Sequence, residues 1–213
     1  MAGKRVFNPL DKRNLGINVA DALIVEEVEP LGEVKPFKGA GIYAMYYRGG
    51  FPAYRQLAAR NRAKFVEPIY VGKAVPAGAR KGGFGLGEDP GQVLFQRLRE
   101  HAETIRQVEA SATKTRSEHQ LKIADFFCRY LLVDDIWIPL GESMLIDRFH
   151  PIWNKVVDGF GNHDPGKGRY RQQRSPWDTV HPGRAWASKC QPYAKTVGQI
   201  LEVVAVHFAR HSS

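Results

Sequence analysis

Gly41-Ile42-Tyr43 and Tyr70-Val71-Gly72 are the two phrases on which the reading of this chain turns. Each sets a tyrosine on an apolar, β-prone segment, with a glycine nearby where a bulky group can approach the backbone. The first continues through Ala44-Met45-Tyr46-Tyr47 and stops at Arg48-Gly49-Gly50, which fits a strand running into a turn. The second fits a strand over 68–73.

Outward from these strands, 92–108 aligns Leu94, Leu98 and Ile105, with Phe95 and Ala102 widening the stripe, which is the pattern of an amphipathic helix. Residues 125–133 read as a third strand. A helix over 140–149 is halted by Pro151, and an amphipathic helix over 193–210 closes the chain. Short helices are expected over 17–23 and 118–123. Residues 53–64, with Arg55, Arg60, Arg62 and Lys64, form a short helix or a basic hairpin tip. Residues 74–91 are too glycine-rich for a regular element and read as a long loop with Arg80 and Lys81 at its tip. The expected class is α+β, with a small antiparallel or mixed three-stranded sheet flanked by helices. An N-terminal arm or cap covers 1–36, a core covers 37–158 with the 74–91 insertion, and a basic extension covers 159–213.

The 213 residues suit one domain, and 43% hydrophobic content predicts a packed core. Lysine and arginine number 31 against 22 acidic residues, and the formal charge of +9 favours a polyanionic partner, nucleic acid first. With only Cys128 and Cys190, neither a disulfide framework nor a four-thiolate zinc site is available. No apolar run long enough for a signal peptide or membrane span follows Met1. No membrane partner is therefore expected, and the cytoplasm is the expected location.

Several polar residues are ordinary taken singly. Glu142 lies near a helix start, where the dipole favours a carboxylate, yet it shares a face with Leu145, Ile146 and Phe149. Arg97 and His101 stand one helical turn apart at the rim of the apolar stripe, each expected to be half buried. Tyr43 and Tyr70 suit a core, and Trp153-Asn154 suits a packing anchor followed by a turn residue. Jointly they supply what a one-metal phosphodiesterase needs. A carboxylate can hold a hard cation, an arginine can offset phosphoryl charge, and an imidazole beside a tyrosine can accept or relay a proton.

The order Gly-Ile-Tyr, Tyr-Val-Gly, Arg-x-x-x-His, Glu, Asn resembles the GIY-YIG nuclease superfamily over 41–154, with Val71 where the motif's name gives isoleucine. The glycine-rich insertion and basic extension most resemble its type II restriction endonucleases, in particular the group cutting the palindrome CCGCGG. The resemblance implies a homodimer on double-stranded DNA and products with a 5′-phosphate and a 3′-hydroxyl. It implies Glu142 as the ligand of Mg²⁺, for which Mn²⁺ can substitute, and Tyr43, Tyr70, Arg97, His101 and Asn154 as its catalytic companions. Tyr43 as proton acceptor raises a difficulty. A phenol ionises at about pH 10, so deprotonation near neutrality costs about 4 kcal/mol unless Lys73, Arg97 or the ion helps, or His101 takes the proton.

DNA contacts are expected from Lys73, from Arg80 and Lys81, and from Arg169, Arg171, Gln172, Gln173 and Arg174. The last group lies in a basic, aromatic run that also holds Arg184. The alternatives are a repair or homing nuclease of the same superfamily, or a DNA-binding module without catalysis.

Overall fold

The computed structural model describes residue 8 and residues 10–76, 89–111 and 120–211. Arg80 and Lys81, most of the expected 74–91 loop and the start of the expected 118–123 helix lie outside the described residues.

Four strands form one antiparallel sheet in the order β1-β4-β2-β3: β1 (Glu29–Pro30), β2 (Gly41–Tyr47), β3 (Tyr70–Ala74) and β4 (Phe126–Leu132). The sheet is thus one strand larger than expected. The extra strand, β1, pairs only Glu29 with Cys128 and Pro30 with Phe127, too short a run for alternation to be visible in sequence. Its proline confines it to the edge.

All seven residues of β2 are buried, because helices cover both faces of the sheet. Side chains alternate along a strand, so Ile42, Ala44 and Tyr46 join one apolar cluster and Tyr43, Met45 and Tyr47 the other. The first cluster holds residues of α1 (Lys12–Val25) and α4 (Ile138–Phe149). The second contains α3 (Val93–Ala110) and much of the chain after residue 158. Between β2 and β3 lies α2 (Arg55–Arg60), so the basic segment is helical. A single 3-10 turn, Ile123–Asp125, stands where the end of the 118–123 helix was expected.

The N-terminal arm contains a 14-residue helix that packs on α4, more than the short helix expected over 17–23. The side chain of Asp11 caps it by accepting from the Arg13 amide at 2.9 Å. Gly16 lets the two helices approach, since a Cβ there would collide with Met144. At its other end α4 stops at His150, in the left-handed region at φ 45°, just before Pro151.

After the short α5 (Ile152–Lys155), the chain returns to the core through Phe160, through Trp177 and Val180 of α6 (Pro176–Val180), and through Ile200, Val204 and Phe208 of α7 (Val197–Arg210). Helix α7 begins four residues later than its periodicity predicts. Thr196 and Gln199 form a capping box there, which fixes the start. Each fully buried aromatic contributes about 1.5–3 kcal/mol of transfer free energy, so this segment is part of the core. A buried chain of hydrogen bonds fastens it. Trp153 Nε1 donates to Tyr54 Oη at 3.0 Å, and Tyr54 Oη lies 2.8 Å from His181 Nε2.

Arg184, read in sequence as one of a run of DNA-facing cations, is 3% exposed and belongs to this core. Its Nε and Nη2 donate to the two carboxylate oxygens of Asp178, each at 2.7 Å. Nη1 donates to the carbonyls of Phe160 and Asn162, and Nη2 also donates to that of Gly159. Its guanidinium carbon lies 4.8 Å from the Trp177 ring centre and 4.7 Å from that of Trp186. Removing one partner of such a buried pair costs about 3–5 kcal/mol, because the other charge is stranded.

Tyr43 faces Gly72 across the β2–β3 ladder, and this register explains the second motif's glycine. A Cβ at position 72 would overlap the Tyr43 hydroxyl and lie 2.5 Å from its Cζ. Gly72→Ala is therefore expected to destabilise the fold by about 1–3 kcal/mol through overpacking. Urea unfolding should show a lower midpoint at unchanged slope.

Candidate active site

Strand β3 lies at the sheet edge, so groups from both faces can meet around its rim. Tyr43 and Tyr70 lie on the α3 side, their ring centres 6.2 Å apart. Lys73 lies on the opposite side, where its Nζ is 2.6 Å from Glu142 Oε2 on α4. Together with Arg97 of α3 these residues line one open cleft of about 610 Å³. Five polar groups spread over a hundred positions of sequence thus converge.

His101 lies just behind this cleft. It was expected at the half-buried rim of its helix, but it is 1% exposed and sits within the stripe formed by Leu94, Leu98, Ile105 and Val108. Its Nε2 is 2.6 Å from the Tyr43 hydroxyl, and its ring stacks on Phe160 at 4.4 Å. Burial pushes its pKa well below the ordinary imidazole value, with Arg97, His163 and Arg184 adding to the effect, so the ring is neutral.

Burial likewise drives the Tyr43 hydroxyl well above its ordinary value, and Tyr70 adds to the rise; the nearby Arg97 guanidinium only partly opposes it. Tyr70 is raised too, chiefly by burial. Of the groups named as able to ease ionisation of Tyr43, Arg97 does so only in part; desolvation outweighs it, and the phenol rests protonated.

Asn154, expected among the catalytic companions of Glu142, bonds the backbone of β3: its Oδ1 accepts from Val71 N and its Nδ2 donates to Val71 O, both at 2.8 Å. It does not line the cleft. The amide imitates one residue of a neighbouring strand and holds the second motif in place.

Arg97 is fixed from the C-terminal side. Its Nη2 donates to Gly161 O at 2.7 Å, and Nη1 donates to Glu100 Oε2 at 2.9 Å and to His163 Nε2 at 2.8 Å. Gly161 has no room for a side chain, because a Cβ would stand 2.7 Å from the Tyr70 hydroxyl and 3.0 Å from Arg97 Nη2. Neither Gly161 nor His163 was foreseen. Gly159-Phe160-Gly161 carried a faint signal in its paired glycines, whereas a lone histidine in a polar loop carried none.

The expected DNA-reading residues divide. Arg169, Arg171, Gln172 and Gln173 are exposed, and the backbone at 172–174 is pinned by Gln191 N to Gln172 O at 3.0 Å and Arg174 N to Gln191 O at 2.9 Å. Arg174 is half buried, with Nη2 3.4 Å from Cys190 O, and serves this turn. Lys73 is engaged with Glu142.

A sheet bearing the tyrosines of both motifs, with arginine and glutamate on flanking helices around one cleft, defines a GIY-YIG nuclease. The family model described as the Eco29kI GIY-YIG domain matches residues 35–208, well over half of the chain, and the protein belongs to that restriction endonuclease family. The match runs through the C-terminal segment and leaves α1 outside. It makes the protein a restriction-type nuclease and DNA its partner. Comparison with curated proteins gives no match. Among the described residues, no helix is long and apolar enough to cross a membrane.

Two buried neutral histidines make stability pH-dependent. His181 is lowered to about 3 by burial, and His101 is lowered as well. Below the unfolded imidazole value of about 6.5 the unfolded chain binds protons that the folded one refuses, so this stability is complete above that pH and lost as pH falls. The unfolding free energy should drop by up to about 2.7 kcal/mol per pH unit once pH is well below 6.5. His181→Gln keeps a polar partner for Tyr54 without titrating, and it should roughly halve that slope in urea titrations between about pH 6 and 5.

Proposed function

We propose that the protein hydrolyses phosphodiester bonds of double-stranded DNA at the palindrome CCGCGG, with one Mg²⁺ per active site and two copies of the chain on each target. Two-fold symmetry of the target calls for two-fold symmetry of the enzyme, one cleft per strand. The observation that carries this reading is the convergence of Tyr43, Tyr70, Lys73, Arg97 and Glu142 on one cleft wide enough for a phosphodiester.

The donor set fits a hard divalent ion. Among the described residues no group of three or more histidine, cysteine or acidic side chains could cage a metal, which speaks against soft or fully protein-coordinated ions. A single carboxylate in an open cleft suits Mg²⁺, which keeps much of its shell as water and phosphate oxygen, and Mn²⁺ can substitute. When bound at Glu142, the ion supplies positive charge at the scissile phosphate and the leaving 3′-oxygen. A partly exposed ion pair such as Lys73–Glu142 is worth about 1 kcal/mol or less. Glu142 is thus the carboxylate that would hold the ion, and Lys73 beside it would then be available to a phosphate.

With His101 neutral, its Nε2, 2.6 Å from the Tyr43 hydroxyl, can accept that proton when the ring carries its own on Nδ1. Tyr43 can then take a proton from the attacking water as it passes its own to His101, so no free phenolate is required. Arg97 offsets charge on the phosphoryl oxygens from the α3 side. Tyr70 places its hydroxyl on the same phosphate, and Asn154 keeps β3 in register beneath both tyrosines. The exposed Arg169, Arg171, Gln172 and Gln173 form the base-reading ridge.

Incubation of plasmid carrying CCGCGG with Mg²⁺ should give discrete fragments that EDTA suppresses. Glu142→Ala should abolish that cleavage while leaving DNA affinity within a few-fold of wild type. Continued cutting by this variant overturns the one-carboxylate site. Arg97→Ala should lower kcat by about 10²–10³-fold, the size typical of losing one preorganised charge-stabilising donor. An unchanged rate places Arg97 outside the chemistry.

A further inference from the structure

His163 lines the same cleft as the two tyrosines, yet it comes from the loop following the last motif residue. Its Nε2 lies 2.8 Å from Arg97 Nη1. Guanidinium nitrogens only donate, so Nε2 is the acceptor and the ring's proton sits on Nδ1. The contact is not a chance meeting of two surface chains. Arg184 grips the carbonyls of residues 159, 160 and 162, which bracket Gly161, and Gly161 accepts from the other arm of Arg97. The loop is thus anchored on a buried ion pair and delivers two acceptors to one guanidinium.

We propose that His163 is a positioning residue for DNA cleavage, acting through Arg97. This rests on the reading in which Arg97 neutralises the scissile phosphate. Of the five N–H groups of Arg97, Glu100, Gly161 and His163 occupy three. The other two are Nε–H and one Nη2–H; Arg97 also meets the Tyr43 and Tyr70 hydroxyls, with which a phosphate oxygen would share them. The three acceptors fix the plane of the guanidinium, and with it the direction of those two hydrogens. A tilt of about 1 Å at such a group costs on the order of 10²-fold in rate.

The device works only while His163 is neutral. Protonation removes the acceptor and sets a second cation against Arg97. Arg97, Glu100 and His101 face it from α3, and Tyr43 and Tyr70 from the sheet. Lys73 and Glu142 stand across the cleft, Arg184 lies behind the loop, and Asp164 follows in sequence. Of the carboxylates, Glu100 is held by Arg97, Glu142 by Lys73, and Asp164 by Gly166 N and Tyr170.

The test is single-turnover cleavage of supercoiled plasmid by wild type, His163→Ala and His163→Gln from about pH 5.5 to 8.5, the range in which imidazoles titrate. DNA affinity is followed in parallel by fluorescence anisotropy. At pH 8, His163→Ala should cut about 10–100-fold more slowly with affinity little changed. His163→Gln restores an acceptor that does not titrate. It should cut within about five-fold of wild type at pH 8 and lose the fall in rate that wild type shows toward pH 5.5. An acid limb equally steep in His163→Gln overturns the proposal, as does a wild-type rate in His163→Ala. A second readout needs no DNA: long-range ¹H–¹⁵N correlation should find His163 as the Nδ1–H tautomer, and an Nε2–H tautomer overturns the proposal. A wild type that cuts no plasmid at any pH overturns the nuclease reading itself, and the role of His163 with it.

Discussion

The contact between the Tyr43 ring and the bare backbone of Gly72 is the constraint from which the rest of the site follows. It fixes the register of β2 against β3, which places Tyr70 beside Tyr43 and turns Lys73 to the opposite face. Because β3 is the outermost strand, the two faces communicate around its rim. Glu142, carried by the helix layer on one side, can thereby share a cleft with Arg97 from the layer on the other. Moving the same residues to an interior strand would put the sheet between them.

Burial then assigns chemical character. Tyr43 and His101 form a hydrogen-bonded pair in which each is held neutral by desolvation, Tyr43 upward and His101 downward in pKa. A proton that His101 takes from Tyr43 would rest on a ring whose lowered pKa hands it back readily, which suits a relay better than a standing base. Tyr54 and His181 repeat the same pairing deeper in the core, 2.8 Å apart, with Trp153 as an added donor. There it lines no part of the cleft and joins the end of α6 to the turn at Pro52–Tyr54. The contrast separates what the pair does chemically from what it does structurally.

Much of the architecture was legible in the sequence because strands and helices with one clear period announce themselves. The strand at Gly41–Tyr47, the helix around Arg97 and the helix bearing Glu142 all fell within a few residues of their observed bounds. Of the six residues in motif order, Tyr43, Tyr70, Arg97 and Glu142 line one cleft, with His101 behind it and Asn154 on the backbone of β3. What escaped were features set by long-range contact. The two-residue β1 exists only because β4 offers it an edge. Helix α1 has little amphipathic pattern and is defined by its packing on α4. The two bonds of the Asn154 amide to the backbone of Val71 span 83 positions and leave no local pattern. Arg184 looked like one more surface cation, since composition cannot show that Asp178 and two tryptophans enclose it.

The Arg184 anchor also bears on how such enzymes can change their targets. The exposed residues at 169–173 and two acceptors of Arg97, Gly161 and His163, lie on one continuous stretch that Arg184 anchors, so on the proposed reading reader and cutter would not separate as cassettes. Grafting a foreign tail would discard the support of Arg97 along with those exposed residues. Single replacements at 169–173 would leave that anchor untouched.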